Sequence, residues 1–378
     1  MRIAILSVDH RPVRPASRAW TAAPAVHVGE LAAALAECGH DVRVYTRRTS
    51  LSQPEVKAGT DGVTTVAVPA EDGDEFGQWL DASWRDGWAP EVVHAHALPS
   101  AVAAMVARKL TSRPTVVTFH GEQDGDAAAI AGTADAVVAL SRAEAREVRR
   151  LGAAPANVSV IPPGVDTTRF TPEGRAWVRR RTHRVLAVGQ LEPASGFAAA
   201  VDALPELPDT ELVVVGRPRP PSNGLGPHAA ELRALAVNHG VHEQLRLTGA
   251  APYGDMPGWY RSADLLICTP EHWSFSRAAV EAMACGIPVV ATAGGPLGET
   301  LTDGVTGRLV PPGDLAGTIR DLLADPELRK AYGTAGAEWV RGAYDWTVAA
   351  LRTVETYERT RTQHSLTHEG ASAPELAA

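Results

Sequence analysis

A carboxylate at Glu281 interrupts the run Ala278-Ala279-Val280-Glu281-Ala282-Met283-Ala284, an otherwise apolar helical pattern that must bury much of its surface. An unpaired buried carboxylate is costly, so Glu281 needs donors. A vicinal diol such as that of a ribose offers two hydroxyls to one carboxylate. A solvated stripe on the helix is the other way to satisfy it. The residues before it, Pro270-Glu271-His272-Trp273-Ser274-Phe275-Ser276-Arg277, read as a loop entering the helix. Free N–H groups at such a helix start favour an anion, for instance a diphosphate.

Four further loops directly follow apolar strands: Gly189-Gln190-Leu191, Gly216-Arg217, Gly249-Ala250, and Ala293-Gly294-Gly295-Pro296 running on to Glu299. A strand-ending glycine lets a ligand approach the backbone closely, although a single one is usually only a turn. Five such loops in succession point to a phosphate-bearing ligand. His120 ends an apolar strand of its own and either faces a ligand or is satisfied by nearby backbone. Asp124-Gly125-Asp126 offers two carboxylates, but Asp-Gly is above all a turn signal, and no metal is expected. The chain has no Gly-x-Ser-x-Gly elbow, no evident carboxylate pair for glycoside hydrolysis and no Gly-rich loop ending in Lys-Ser/Thr.

Positioning these loops requires strands and helices in alternation. Short β-branched runs bounded by Gly, Pro or charge alternate with Ala/Leu/Glu/Arg stretches of helical period, the pattern of βα units on a parallel sheet. In the first half, strands are expected at 2–7, 41–46, 64–68, 91–95, 115–119, 136–140 and 158–161, with helices at 25–38, 100–110 and 142–151. The pattern restarts with strands at 184–188, 211–215, 245–248, 265–268, 288–291 and 307–310, and helices at 197–204, 228–238 and 277–285. Pro162-Pro163-Gly164-Val165-Asp166 suits a stiff hinge between the halves.

The expected organisation is an N-terminal Rossmann-like domain over 1–165, a C-terminal one over 166–345, and a helix over 346–362 crossing back to the first. A disordered tail over 363–378 follows. Open α/β sheets bind ligands outside the carboxyl ends of their strands, so two such domains facing across a cleft place the function on these loops.

Composition agrees. The 378 residues are 45% hydrophobic, enough for two cores, and the net charge of -8 supplies no basic face for nucleic acid. Cys38, Cys268 and Cys285 are widely spaced in apolar surroundings, as reduced packing residues are. MRIAILSVDH is too short an apolar run for a signal segment, and no run spans a membrane, so a cytoplasmic protein is expected.

The sequence resembles the retaining nucleotide-sugar glycosyltransferases of the GT-B type, the family-4 group that includes sucrose-phosphate synthase-like and mycothiol-pathway enzymes. The resemblance runs from MRIAILS to the region of Trp346. It is carried by Val280-Glu281-Ala282-Met283-Ala284-Cys285-Gly286-Ile287-Pro288-Val289-Val290-Ala291-Thr292, by Gly294-Gly295 with Glu299, and by Asp303 to Pro312. The hinge Ile161 to Asp166, Gly39-His40-Asp41-Val42 and Thr118-Phe119-His120 agree with it.

The resemblance implies a retaining transfer of a hexosyl-type group from a nucleotide-diphosphate sugar to a sugar, lipid or metabolite acceptor, in glycan or glycoside biosynthesis. No cofactor or metal is implied. Glu281 takes the position of the second glutamate of a pair eight residues apart and would hold the ribose, and His120 the position of the histidine that contacts the sugar. The backbone of Gly189, Gly249, Gly294 and Gly295, with Phe275, Ser276 and Arg277, would line the donor.

Several positions depart from the family. Trp273 stands where the first glutamate is expected, with Glu271 two residues earlier as a possible substitute. The paired first-loop glycines fall on Ala22 and Ala23. The Arg and Lys that clamp the diphosphate fall on Gln190 and Ser195. A hydrogen bond to a charged group contributes about 1.5–3 kcal/mol, so Arg277 and Arg217 become candidates to restore that charge, or else are solvated arginines. The segment between His120 and Ala136, GEQDGDAAAIAGTAD, is shorter than a typical acceptor-side insertion and lacks its basic residues. These departures motivate a second reading, a nucleotide-binding partner or regulatory protein of the same fold without catalysis.

Overall fold

The computed structural model describes residues 1–9, 23–85, 87–121, 125–218, 224–270, 276–293, 297–311 and 313–371. These fall into two units, one of 1–9, 23–164 and 346–371, the other of 165–345.

The first unit contains β1 (Arg2–Leu6), α1 (Ala23–Glu37), β2 (Asp41–Arg47), β3 (Val56–Ala58), β4 (Val63–Val68), α2 (Gly73–Arg85), β5 (Val92–His96), α3 (Leu98–Thr111), β6 (Thr115–Thr118), α4 (Ala127–Thr133), β7 (Ala136–Ala139), α5 (Arg142–Arg150) and β8 (Val158–Val160). The strand order is β3-β4-β2-β1-β5-β6-β7-β8, parallel except for the β3–β4 pair.

Successive side chains of a strand face opposite ways, so a sheet covered on both sides needs apolar residues at every position. Strand β1 shows this: Ala4 and Leu6 join the core formed with Phe76, Leu80 and Trp84, whereas Ile3 and Ile5 join the one formed with Val28, Leu31 and Leu35.

The second unit contains β9 (His183–Val188), α6 (Phe197–Ala203), β10 (Thr210–Val215), α7 (Gly226–Asn238), β11 (Leu245–Gly249), α8 (Met256–Arg261), β12 (Leu265–Cys268), α9 (Arg277–Ala284), β13 (Val289–Thr292), α10 (Leu297–Thr300), β14 (Gly307–Val310), α11 (Leu315–Ala324) and α12 (Pro326–Ala343). Its parallel sheet runs β11-β10-β9-β12-β13-β14. Val185, Val214 and Ile267 face one core with Phe197 and Leu232. Leu186, Val213 and Leu266 face the other with Tyr260, Val280 and Met283.

The last helix, α13 (Trp346–Ala371), belongs to the first unit, where Trp346, Ala350 and Tyr357 enter the α1 side of the core. It extends past the boundary expected at 362, which corrects the placing of a disordered tail from 363. The helix is tied down there by His364, whose ring bonds the Ser112 carbonyl at 2.8 Å. Strand β3 and helices α2, α4, α8, α10, α11 and α12 are not among the elements expected from the sequence. The polar residues Asp74, Glu75, Gln78 and Asp81 mask the Phe76–Leu80–Trp84 stripe of α2.

The units part between Gly164 and Val165. A Cβ on Gly164 would collide with the Trp346 ring, which accounts for the glycine after two prolines. All three cysteines are free thiols, and Cys268 and Cys285 are buried. Among the described residues, no helix is long and apolar enough to cross a membrane.

Candidate functional site

Glu281 lies on α9 in the second unit and is 3% exposed, so it is not on a solvated stripe. Its donors come from the preceding elements. The turn Tyr253–Asp255 and helix α8 bring two phenols to it: the Tyr253 hydroxyl donates to Oε1 at 2.9 Å and the Tyr260 hydroxyl to Oε2 at 2.7 Å. Phe170 packs against both rings, with centroids 5.4 and 6.0 Å away. Arg277, one helical turn before Glu281, places Nε 3.3 Å from Oε1 and its guanidinium over the Tyr253 ring.

Burial raises the Glu281 carboxyl above its ordinary value, opposed first by the Arg277 charge and then by the two phenols. Burial, then the adjacent carboxylate, holds the Tyr260 phenol well above its own ordinary value, so it remains a donor.

The loops at neighbouring strand ends are stitched together. Leu191 N–H donates to the Arg217 carbonyl at 2.7 Å, and Gly216 N–H to the Gly249 carbonyl at 3.0 Å. A Cβ at Gly216 would strike the Gly189 carbonyl, and Gly249 has φ +76°. Gln190 and Ser195 meet in one turn, where the Ser195 hydroxyl donates to the Gln190 carbonyl at 2.6 Å. The Ser195 side chain thus serves to close the loop. Gly196, at φ +69°, leaves no room for a Cβ against the Thr269 carbonyl. Ser276 caps α9 by accepting from Ala279 N–H at 3.3 Å.

Gly189, Gln190, Ser195, Arg217 and Gly249 therefore lie on adjoining loops of β9, β10 and β11, and Ser276, Arg277 and Glu281 lie at and along α9. Glu271, Trp273, Phe275, Gly294, Gly295, Ala22 and Asp124 lie outside the described residues. Ala23 opens α1, and its side chain lies outside them too.

In the first unit, His120 follows β6 at φ +59°, a left-handed conformation that is uncommon and strained for a non-glycine residue. Glu144 of α5 fixes the adjacent backbone, accepting from Gly121 N–H at 3.3 Å and Leu140 N–H at 2.6 Å. His120 is half-buried, and its Nε2 lies 3.0 Å from His96 Nδ1 at the end of β5. The ring of His27, on α1, lies 4.9 Å from that of His120 and 5.4 Å from that of His96. His94 is bonded at both nitrogens, to the Tyr357 hydroxyl at 2.7 Å and the Thr118 hydroxyl at 2.9 Å. Burial pushes His27 down to about 4 and His94 to about 3, and with its histidine neighbours holds His96 well below the ordinary value, so these rings are neutral near pH 7.

Sequence reasoning missed Tyr253, Tyr260, His27 and His96 as site residues. The available signal was the pair of adjacent parallel strands, one ending at His96 and the other followed two residues on by His120. Nothing local links either of them to His27.

Two parallel-sheet α/β units with this topology occur in solved GT-B structures. Sucrose-phosphate synthase from Thermosynechococcus elongatus has a TM-score of 0.79 at 24% identity, over 96% of this chain and 99% of that one. Anabaena HepE in complex with UDP-glucose has a TM-score of 0.73 at 18% identity, over 95% and 100%. The fold is therefore the GT-B fold.

Residues 24–169 match the family model described as Glycosyltransferase Family 4, and 178–339 the one described as Glycosyl transferases group 1. The D-inositol 3-phosphate glycosyltransferase of Jonesia denitrificans is 31% identical, over 97% of each chain. The chain belongs to the family-4 glycosyltransferases and is a glycosyl-transferring enzyme. The alternative of a non-catalytic binding protein finds no support in these likenesses.

Proposed function

We propose that this protein transfers a hexosyl group from a nucleotide-diphosphate sugar to a hydroxyl acceptor, with retention of anomeric configuration. The observation that carries the reading is the buried carboxylate of Glu281, at the position of the family's ribose-binding glutamate and held by Tyr253, Tyr260 and Arg277. An ionised carboxylate accepts about four hydrogen bonds, so a ribose diol displaces at least one present donor. Arg277, 27% exposed on its side chain, is the donor that gives way. Its freed guanidinium then meets the diphosphate, taking over from the cations that Gln190 and Ser195 replace.

The loop backbones around Gly189, Gly249 and the start of α9 supply the remaining donors to the diphosphate. Stabilising the departing diphosphate, rather than a side-chain nucleophile, lowers the barrier to front-side attack. His120, whose backbone strain Gly121 and Glu144 hold in place, contacts the transferred sugar. Two named likenesses support the substrate classes: a solved structure holding UDP-glucose and a relative acting on inositol 3-phosphate.

A thermal-shift panel of UDP, GDP and their sugars tests the reading. Stabilisation by at least one nucleotide sugar, lost in Glu281→Ala, is expected. No shift with any of them would overturn it. Inositol and inositol 3-phosphate as parallel acceptors then show whether the acceptor phosphate is recognised by a chain whose 121–135 segment carries no Lys or Arg.

A further inference from the structure

We propose that His27, His96 and His120 form a binding site for a divalent transition-metal ion, zinc above all. The three come from α1, the end of β5 and the residue pair after β6, and each offers one ring nitrogen such that the three nitrogens lie within 4.8 Å of one another. One pair, His96 Nδ1 and His120 Nε2, is 3.0 Å apart. Two imidazoles bound to one zinc at about 2.05 Å in tetrahedral geometry have their nitrogens about 3.3 Å apart, so this edge of the site is nearly formed, and only the third ring has to close.

A second observation comes from hydrogen bonding. Among the described residues, His27 Nδ1 is buried with no hydrogen-bond partner. An orphaned buried nitrogen is uncommon in a folded protein, and a bound ion is one species that satisfies it. His94 is excluded from the set because both its nitrogens are committed, to Tyr357 and Thr118.

Neutral imidazole suits zinc, copper, nickel and iron, and a set of three imidazoles without thiolate is the donor set of open zinc sites. Each ring binds through an unprotonated nitrogen and keeps its proton on the other, so coordination shifts the tautomer of one ring in the His96–His120 pair and releases no proton. Three protein nitrogens leave a fourth position for water or an anionic oxygen.

The test uses tag-free, chelator-stripped protein and the metal alone. Equilibrium dialysis against zinc should show one ion per chain. Cobalt in its place should give the intense visible bands of a four-coordinate site, displaced by zinc. His27→Gln and His96→Gln should each weaken binding at least tenfold. Failure to bind one ion, or undiminished binding by a folded His27→Gln/His96→Gln protein, would overturn the site. Should that protein not fold, nitrogen NMR of the labelled rings of the unaltered chain decides: zinc must move the resonances of His27, His96 and His120, and shifts confined to other histidines contradict the proposal. No nucleotide sugar enters these measurements, so their failure and that of the transferase reading are separate outcomes.

Discussion

At Glu281, two phenols and a guanidinium offset the cost of holding a carboxylate out of water, and removing any one of them tests its share. Tyr260→Phe leaves Oε2 without a buried donor. It should lower stability by about 1.5–3 kcal/mol in urea unfolding while leaving the fold intact. Because burial raises the Glu281 carboxyl, its contribution to stability is complete below the ordinary carboxyl range and declines as pH rises through the folded value. Glu281→Gln should therefore gain on the wild type as the pH of ligand-free unfolding is raised from acid toward neutrality, and a constant difference would contradict the burial argument. Arg277→Ala should weaken nucleotide diphosphate more than nucleoside in calorimetric titration. Equal losses would remove Arg277 from the diphosphate.

Among the elements, most strands were legible because parallel strands covered on both faces must be largely apolar, as residues 212–215 and 289–291 are. The chemistry was legible only where it broke that pattern. Glu281 stands out as a lone carboxylate in an apolar helix, whereas its partners Tyr253 and Tyr260 look like ordinary aromatic core residues and meet it only because α8 and the turn before it pack on α9. His27 was invisible because α1 brings it to His96 and His120 only through packing of the fold and not through sequence spacing. Loop glycines can be ranked once neighbours are known. Gly196→Ala forces a Cβ against the rigid Thr269 carbonyl at a positive φ, and should cost about 2 kcal/mol or more in urea unfolding. Gly189→Ala meets side chains and no backbone, the Phe197 ring at 3.1 Å and Ser195 Oγ at 3.7 Å, and should cost less.

For the whole molecule, two units with separate cores should report separately on ligand and on packing. If the donor is held by the second unit, a bound nucleotide diphosphate should raise that unit's transition in calorimetry. Trp346, which packs on Gly164 and edges onto His27, anchors α13 to the first unit. Trp346→Ala should lower the first unit's transition, by about 3–5 kcal/mol, without changing the nucleotide affinity.

The central claim is tested most directly by following transfer itself. Wild-type protein and Glu281→Ala are incubated with nucleotide sugars and an inositol phosphate acceptor, and the product's anomeric configuration is read by NMR. The account predicts a product with the donor's configuration, and a kcat/KM that falls about tenfold to hundredfold in Glu281→Ala. An inverted product, or equal turnover by the two proteins, would contradict it.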